Sequence, residues 1–539
     1  MTTPNHPTVL PTRSLFRATD RVAVEIRDLR QSAELTVHRD GAVLSSHPVS
    51  SAGVIPLGEL EPGSYGISLR AGDQQIARSA VQIAGSGGDR GILRYAFVAD
   101  YRPDRSVADL AAVADNLRRL HITGVQFYDW AYRHADLLGG GERYADALGS
   151  PVDLGTVRAL IATCHEVGAD ALGYAAVYGV GNDEWPAWES LAITDADGTA
   201  YGLGDFLRLV DPGAPTWLYH FGNDLAEALA QCGFDGFHLD QYGYPKVALR
   251  TDGTRVDLTE SFVHLIESVR ERVPGARLVF NNVNDFPTWA SAQAPQDAVY
   301  IEVWEPHSTH AALAQVIGRA RSVAGGRPVV IAAYQQVYAV APREEADRAT
   351  ALTMATVFSH GATHLLAGEA DRILVDPYYV RNHVAEPGTV DLLARYYDFL
   401  TEHHDLLIPS GIVEVTGSYA ASYNDDLDVS YAAATVSGTA RPGVVWRRIT
   451  AVGDALVVHL INLSGATDCR WDAPQGPPGT PGAGTLRMRR VGPDVPAVYA
   501  ADPDASGHLE PLVVAVDGTH ATVHLPPLAT WQMIVVRSR

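Results

Sequence analysis

The stretch Gly233–Pro245, GFDGFHLDQYGYP, decides how the rest of the chain is read. Within it, Asp235-Gly236-Phe237-His238-Leu239-Asp240 alternates with period two. Gly236, His238 and Asp240 share one face, and Phe237 and Leu239 share an apolar one. The run 217–232 before it has helical periodicity, and so does 257–272 after it. A short strand with an apolar outer face and a carboxylate at its C-terminal end, set between helices, is the repeating element of a parallel α/β protein.

The same element recurs on either side. Strands are expected at 92–99, 122–128, 170–177, 235–240, 277–282, 298–304, 328–334 and 362–367, with helices such as 106–120 between them. Eight β–α alternations predict a (β/α)8 barrel. An open doubly wound sheet is the runner-up. It needs a glycine-rich phosphate turn after the first strand, and ADYRPDRS is not one.

Outside the barrel the pattern becomes short alternating runs divided by turns. RVAVEIRDL, AELTVHRDG and the run from Glu61 to Ile83 predict an immunoglobulin-like β-sandwich over 21–88, closed by Gly85–Asp89. Residues 1–20 read as a loose N-terminal arm. GIVEVTG, DALVVHLINLSG, ATVHLPP and TWQMIVVRS predict a C-terminal β-sandwich over 406–539, with a proline-rich loop at 474–484. The expected architecture is thus multidomain α/β, with a central (β/α)8 barrel at 89–405 flanked by two sandwiches. Helix 391–403 hands the barrel over to the second sandwich.

With 46% hydrophobic and 19% charged residues, the 539-residue chain has the composition of a folded globular protein. Its 63 acidic and 41 basic residues give a net charge of −22, which repels nucleic acid and anionic membrane surfaces and leaves neutral ligands open. Cys164, Cys232 and Cys469 have no metal-ligand spacing, so neither a zinc site nor a disulfide framework is expected, and no cofactor is called for. MTTPNHPTVLPTRSLF lacks a basic start followed by an apolar core, so a cytoplasmic protein is expected.

In such a barrel the C-terminal strand ends meet at one mouth. Asp240 ends the fourth strand facing it, with His238 one layer deeper. His238 reads equally well as a buried structural histidine. In the sixth strand Tyr300, Glu302 and Trp304 share the inner face, which places Glu302 like Asp240. Glu305 falls on the other face and reads as a rim residue. Two carboxylates across a barrel mouth suit glycosidic cleavage. A strand-end Asp can instead cap the next helix, but Gln241–Pro245 reads as a loop. The second strand runs into Asp129, Trp130, Tyr132 and His134, whose rings and polar groups suit a sugar, although the rings can also pack a helix. Asn281, Asn282 and Asn284 offer amides at the same mouth or serve a turn, and Asn282 is taken as the substrate contact. Trp185, Trp188 and Tyr201, in the insertion 179–216, can stack on sugars or anchor the loop.

FYDWAYRH, GFDGFHLDQYG, FNNVN, YIEVW, GEADRILVDPYYV and LARYYDFLTEHHDLL together resemble glycoside hydrolase family 66, in order from about residue 90 to 465. The resemblance implies an immunoglobulin-like domain, a barrel and a C-terminal β-domain. It also implies a retaining enzyme acting on α-1,6-glucans, either dextran or isomalto-oligosaccharides. By that resemblance Asp240 is the nucleophile, Glu302 the acid/base and Asp129 a substrate contact. The alternatives are a transglycosylase on the same sugars and a non-catalytic glycan-binding barrel. A metal-dependent amidohydrolase would want a His-x-His pair on the first strand, and YAFVADY has none.

Overall fold

The computed structural model describes residues 6–85, 88, 90–420, 423–490 and 492–537. Eight parallel strands lie side by side in chain order: β1 (Tyr95–Val98), β2 (Gly124–Phe127), β3 (Asp170–Ala176), β4 (Gly236–Asp240), β5 (Arg277–Asn281), β6 (Ala298–Glu302), β7 (Val329–Ala332) and β8 (Thr363–Leu365). The ring closes where Phe97 bridges Gly368 in parallel and Thr363 Oγ1 donates to the Leu93 carbonyl at 2.8 Å. The barrel expected from the sequence is therefore present, with each strand at its expected place and trimmed by up to three residues at an end.

Local sequence explains the outer ring. Helix α1 (Val107–Arg119) opens on a Ser106–Asp109 capping box. Helix α2 (Leu154–Val167) is capped by Asp153 and ends on left-handed Gly168. Helix α3 (Pro215–Cys232) starts on proline and ends on Gly233 at φ 86°. Gly236 then begins β4, where an added Cβ would meet the Arg277 carbonyl oxygen at 1.8 Å, so only glycine lets β4 lie against β5 at this point. Helices α4 (Leu258–Arg272), α5 (His310–Val323), α6 (Arg343–Ser359) and α7 (Pro387–Glu402) follow β4, β6, β7 and β8. Between β5 and β6 lie only a short 3-10 turn, Val283–Asp285, and a four-residue helix, Thr288–Ser291. Among the described residues no helix is long and apolar enough to cross a membrane.

The N-terminal sandwich packs a three-stranded sheet on a five-stranded one around Val24, Ile26, Leu35, Val37, Ile67 and Leu69. The loose arm over 1–20 needs correction. Thr8–Pro11 pairs antiparallel with Val22–Arg27, and Phe16–Arg17 pairs with the end of Gln74–Ala84. Burial of Val9, Leu10, Leu15 and Phe16 holds this segment despite its prolines. Residues 1–5 of the expected arm, and Ser86, Gly87 and Asp89 of the expected boundary, lie outside the described residues.

In the C-terminal region a seven-stranded sheet faces a four-stranded one across Val445, Ile449, Val458, Leu460, Leu486 and Val523. The other face of the larger sheet carries Trp446, Val457, Ile461, Trp531 and Met533 into the barrel's own core. Its strand Val444–Val452, VVWRRITAV, is buried on both faces and shows no hydrophobic alternation, which is why the sequence pattern passes over it.

Candidate active site

The mouth of the barrel holds a cleft of about 210 Å³ whose lining includes Asp129, Asp240, Asn281, Glu302 and Trp304. Asp240 and Glu302 occupy the last positions of β4 and β6. β5 lies between them, and its last residue, Asn281, links the two. Asn281 Nδ2 donates to Asp240 Oδ1 at 2.7 Å and to Glu302 Oε2 at 2.8 Å. Two acceptors on one nitrogen at these lengths lie within about 5.5 Å of each other. Tyr174 Oη, from β3, donates to Asp240 Oδ2 at 2.8 Å, and Trp304 Nε1 donates to Glu302 Oε1 at 2.8 Å.

Burial raises the Asp240 carboxyl above the usual carboxylate range, against the pull of Asn281, Tyr174 and the Gln241 N–H. Glu302 is raised by burial and then by the Asp240 charge, with Asn281 and Trp304 opposing. The neighbouring charge favours a state in which the pair holds a single proton, with Asp240 ionised and Glu302 protonated. Asp129 is pushed up to about 8 by burial, then by the charges of Asp146 and Asp240, so near neutral pH it presents a proton to the cleft.

His238 lies on the floor beneath this pair. Its Nδ1 is 3.3 Å from Tyr95 Oη, and burial pushes it down to about 3, leaving it neutral. His134 lines the wall and is likewise held neutral, pushed down to about 4 by burial and by Arg133. Glu305 is exposed on the rim, where its carbonyl accepts from Asn284 Nδ2.

Three expected substrate contacts are not at the cleft. Asp129 turns through φ 46°, so the strand's alternation ends there and Trp130 drops back into the core. Trp130 is fully buried against Phe234, and its Nε1 donates to the Tyr174 carbonyl at 3.1 Å. Tyr132 packs edge-on against Tyr144 under the Arg133 guanidinium. Asn282 lies one residue beyond the strand, on its outer side. Its Nδ2 donates to the carbonyls of Phe280 and Tyr300, and Ser291 Oγ donates to its Oδ1 at 2.5 Å. In the long insertion, Trp188 anchors on Trp217 and His220, while Trp185 and Tyr201 pack on the barrel core. Leu203, Phe206 and Leu207 form the wall of the cleft in their place. Asn281 and Tyr174 are the partners that the sequence reading did not assign. Continuing the alternation inward from Val279 leads to Asn281, but nothing local announces its two acceptors. Among the described residues no group of three or more His, Cys, Asp or Glu side chains is arranged to hold a metal ion.

The sequence profile of Glycosyl hydrolase family 66 matches residues 65–535. The chain belongs to that family. Among relatives, a cycloisomaltooligosaccharide glucanotransferase of Niallia circulans is 26% identical over 332 residues, covering 56% of this chain and 34% of its own length. A dextranase of Streptococcus salivarius is 24% identical over 447 residues, covering 71% of this chain and 54% of its own. This family 66 chain thus spans about a third to a half of the length of those relatives. A Paenibacillus sp. cycloisomaltooligosaccharide glucanotransferase, solved with cycloisomaltoheptaose, superposes with a TM-score of 0.86 at 18% identity. The match covers 98% of this chain and all of that one, and it speaks for the fold alone. An α-amylase of Geobacillus thermoleovorans reaches a TM-score of 0.52 at 11% identity, over 83% of this chain and 98% of that one.

Proposed function

We propose that this chain is a retaining glycoside hydrolase that cleaves α-1,6-glucosidic linkages of dextran or isomalto-oligosaccharides through a covalent glycosyl-enzyme intermediate. Asp240 attacks the anomeric carbon while Glu302 gives its proton to the departing glycosidic oxygen. Glu302, now ionised, takes a proton from water, and that water releases the sugar from Asp240. Asp129, protonated, and His134 contact the substrate beside the nucleophile, and Trp304 offers it a ring face.

One observation carries this reading: the shared amide of Asn281, which holds one oxygen of Asp240 and one of Glu302 within about 5.5 Å of each other and so favours a closely spaced pair. Retaining pairs sit ~5–5.5 Å apart, whereas inverting pairs need ~6.5–9.5 Å to admit the attacking water. The linkage rests on family membership and on the dextranase and glucanotransferase relatives. Proton NMR of the first product from isomaltotriose is the test. The α-anomer should appear first, and initial release of the β-anomer sinks the retaining assignment. The glucanotransferase relatives favour a second outcome on the same intermediate, in which a sugar hydroxyl replaces water. Products longer than the starting oligosaccharide would reveal it.

A further inference from the structure

The cleft contains a polar arrangement that the two-carboxylate scheme does not require. Asn281 is 1% exposed and has two amide N–H groups, and both are spent on carboxylates: one on Asp240 Oδ1, one on Glu302 Oε2. Its own Oδ1 is buried and has no hydrogen-bond partner among the described residues. A buried acceptor left unpaired costs free energy, so the amide is held in this orientation by the two carboxylates and not by its surroundings. The reverse orientation would aim Oδ1 at both of them.

Asp240 Oδ2 accepts from Tyr174, and Glu302 Oε1 accepts from Trp304. Each oxygen of Glu302 therefore already faces an N–H donor. A proton on Glu302 must take a lone pair that neither Asn281 nor Trp304 occupies, on a carboxyl that lines the cleft.

Resting on the glycosidase reading above, we propose that Asn281 is the positioning residue of the reaction: it sets the spacing of Asp240 and Glu302 and, with Trp304, aims the acid proton at the substrate. The three donors divide cleanly. Of the two carboxylates, Tyr174 bonds Asp240, Trp304 bonds Glu302, and Asn281 bonds both.

The other ionisable groups facing the pair leave this division readable. Tyr128, Tyr174, Tyr242, Tyr300 and Tyr334 are pushed well above the usual phenol range by burial, and Tyr379 is raised by burial as well, so all stay neutral. His238 stays uncharged. Asp129 faces Asp240 and Tyr174 and is raised to about 8, so an Asp129→Asn background keeps its own ionisation out of the pH profile.

The test is the pH dependence of kcat/KM on isomaltotriose, measured on the full chain. The acidic limb reports Asp240 losing its charge, and the basic limb reports Glu302 losing its proton. Removing a donor from a carboxylate raises its pKa, so the limb it controls moves to higher pH. Tyr174→Phe should move only the acidic limb upward, by roughly one pH unit, and Trp304→Phe only the basic limb, by a similar amount. Asn281→Ala should move both upward and lower kcat about 100-fold with KM changed only a few-fold. A fall in kcat with both limbs in place overturns the proposal.

If Asn281→Ala does not fold, the wild-type chain gives the answer. With selective asparagine labelling, the Asn281 side-chain amide resonances should shift through both titration steps, and a resonance that follows neither step overturns the proposal. Asp240→Ala and Glu302→Ala separate the two readings. If they keep wild-type activity, the glycosidase assignment fails; if they are inactive while the limbs of Asn281→Ala stay in place, only the positioning role fails.

Discussion

The two ends of the barrel treat carboxylates in opposite ways. At the N-terminal end, Asp297 precedes β6 and receives the Leu278 N–H, Arg270 and Arg90. Burial opposes its charge, but these donors win and hold it below the usual range. Arg277, 2% exposed at the start of β5, donates to Asp170 and to the carbonyls of Arg90 and Ile92. At the C-terminal end, Asp240 and Glu302 receive only neutral donors among the described residues, and both are raised. Carboxylates paired with guanidinium groups lock the closed end of the ring. Carboxylates denied a cation stay available for proton transfer and nucleophilic attack, at the expense of stability.

The most severe way to break this contrast is at the mouth. Asp240→Ala should abolish turnover on every substrate, a loss of about 10⁴-fold or more. Glu302→Ala should lose the natural linkage but spare glycosyl fluorides, whose leaving group needs little protonation. Equal losses on fluoride and natural linkage would refute that division of labour.

At the other end, Arg277→Met should lower stability by about 3 kcal/mol, because it strands two carbonyls and one side of an ion pair. Denaturant unfolding measures the loss, and kcat per folded molecule should be unchanged. A selective fall in kcat would mean that the two ends are not separate.

Smaller effects test the sign of each shift. Glu302 is raised in the folded chain, so ionisation costs stability as pH climbs from the unfolded to the folded pKa. Glu302→Gln should therefore add roughly 1–2 kcal/mol at pH ~8 and nothing at pH ~4. Asp297 is lowered, so its contribution is present above its unfolded pKa of ~3.9 and fades as pH falls through the folded one. Asp297→Asn should destabilise at pH ~7, with the difference closing below ~4. Thermal melts across pH would sink the comparison if both variants moved in the same direction.

The smallest effect lies on the cleft wall. Phe206→Ala removes apolar surface that a sugar can cover and should raise KM several-fold, for a loss of about 1 kcal/mol. A wall that closes one end of the cleft favours short isomalto-oligosaccharides over dextran. A rapid fall in dextran viscosity, with faster turnover of the polymer than of isomaltoheptaose, would reject that expectation.

Local pattern was enough to determine the barrel and its two carboxylates. Alternation within DGFHLD and YIEVW assigns each residue to a face, and a face in a closed barrel is either the interior or the helix layer. Asp240 and Glu302 were legible because they are the last residues of their strands, where that rule still holds. Trp130, Tyr132 and Asn282 lie past the strand ends, where the left-handed turn at Asp129 and the end of β5 at Asn281 cancel it. The strand Val444–Val452 escaped for a related reason, since burial on both faces erases the period. Only the tertiary structure decided that Asn281 reaches both carboxylates and that Tyr174 and Trp304 divide the rest. These partners come from four different strands or strand ends, 21 to 66 residues apart across the main contacts with Tyr174 and Asn281. Periodicity says which way a side chain points; the curvature and register of the closed sheet decide what it meets.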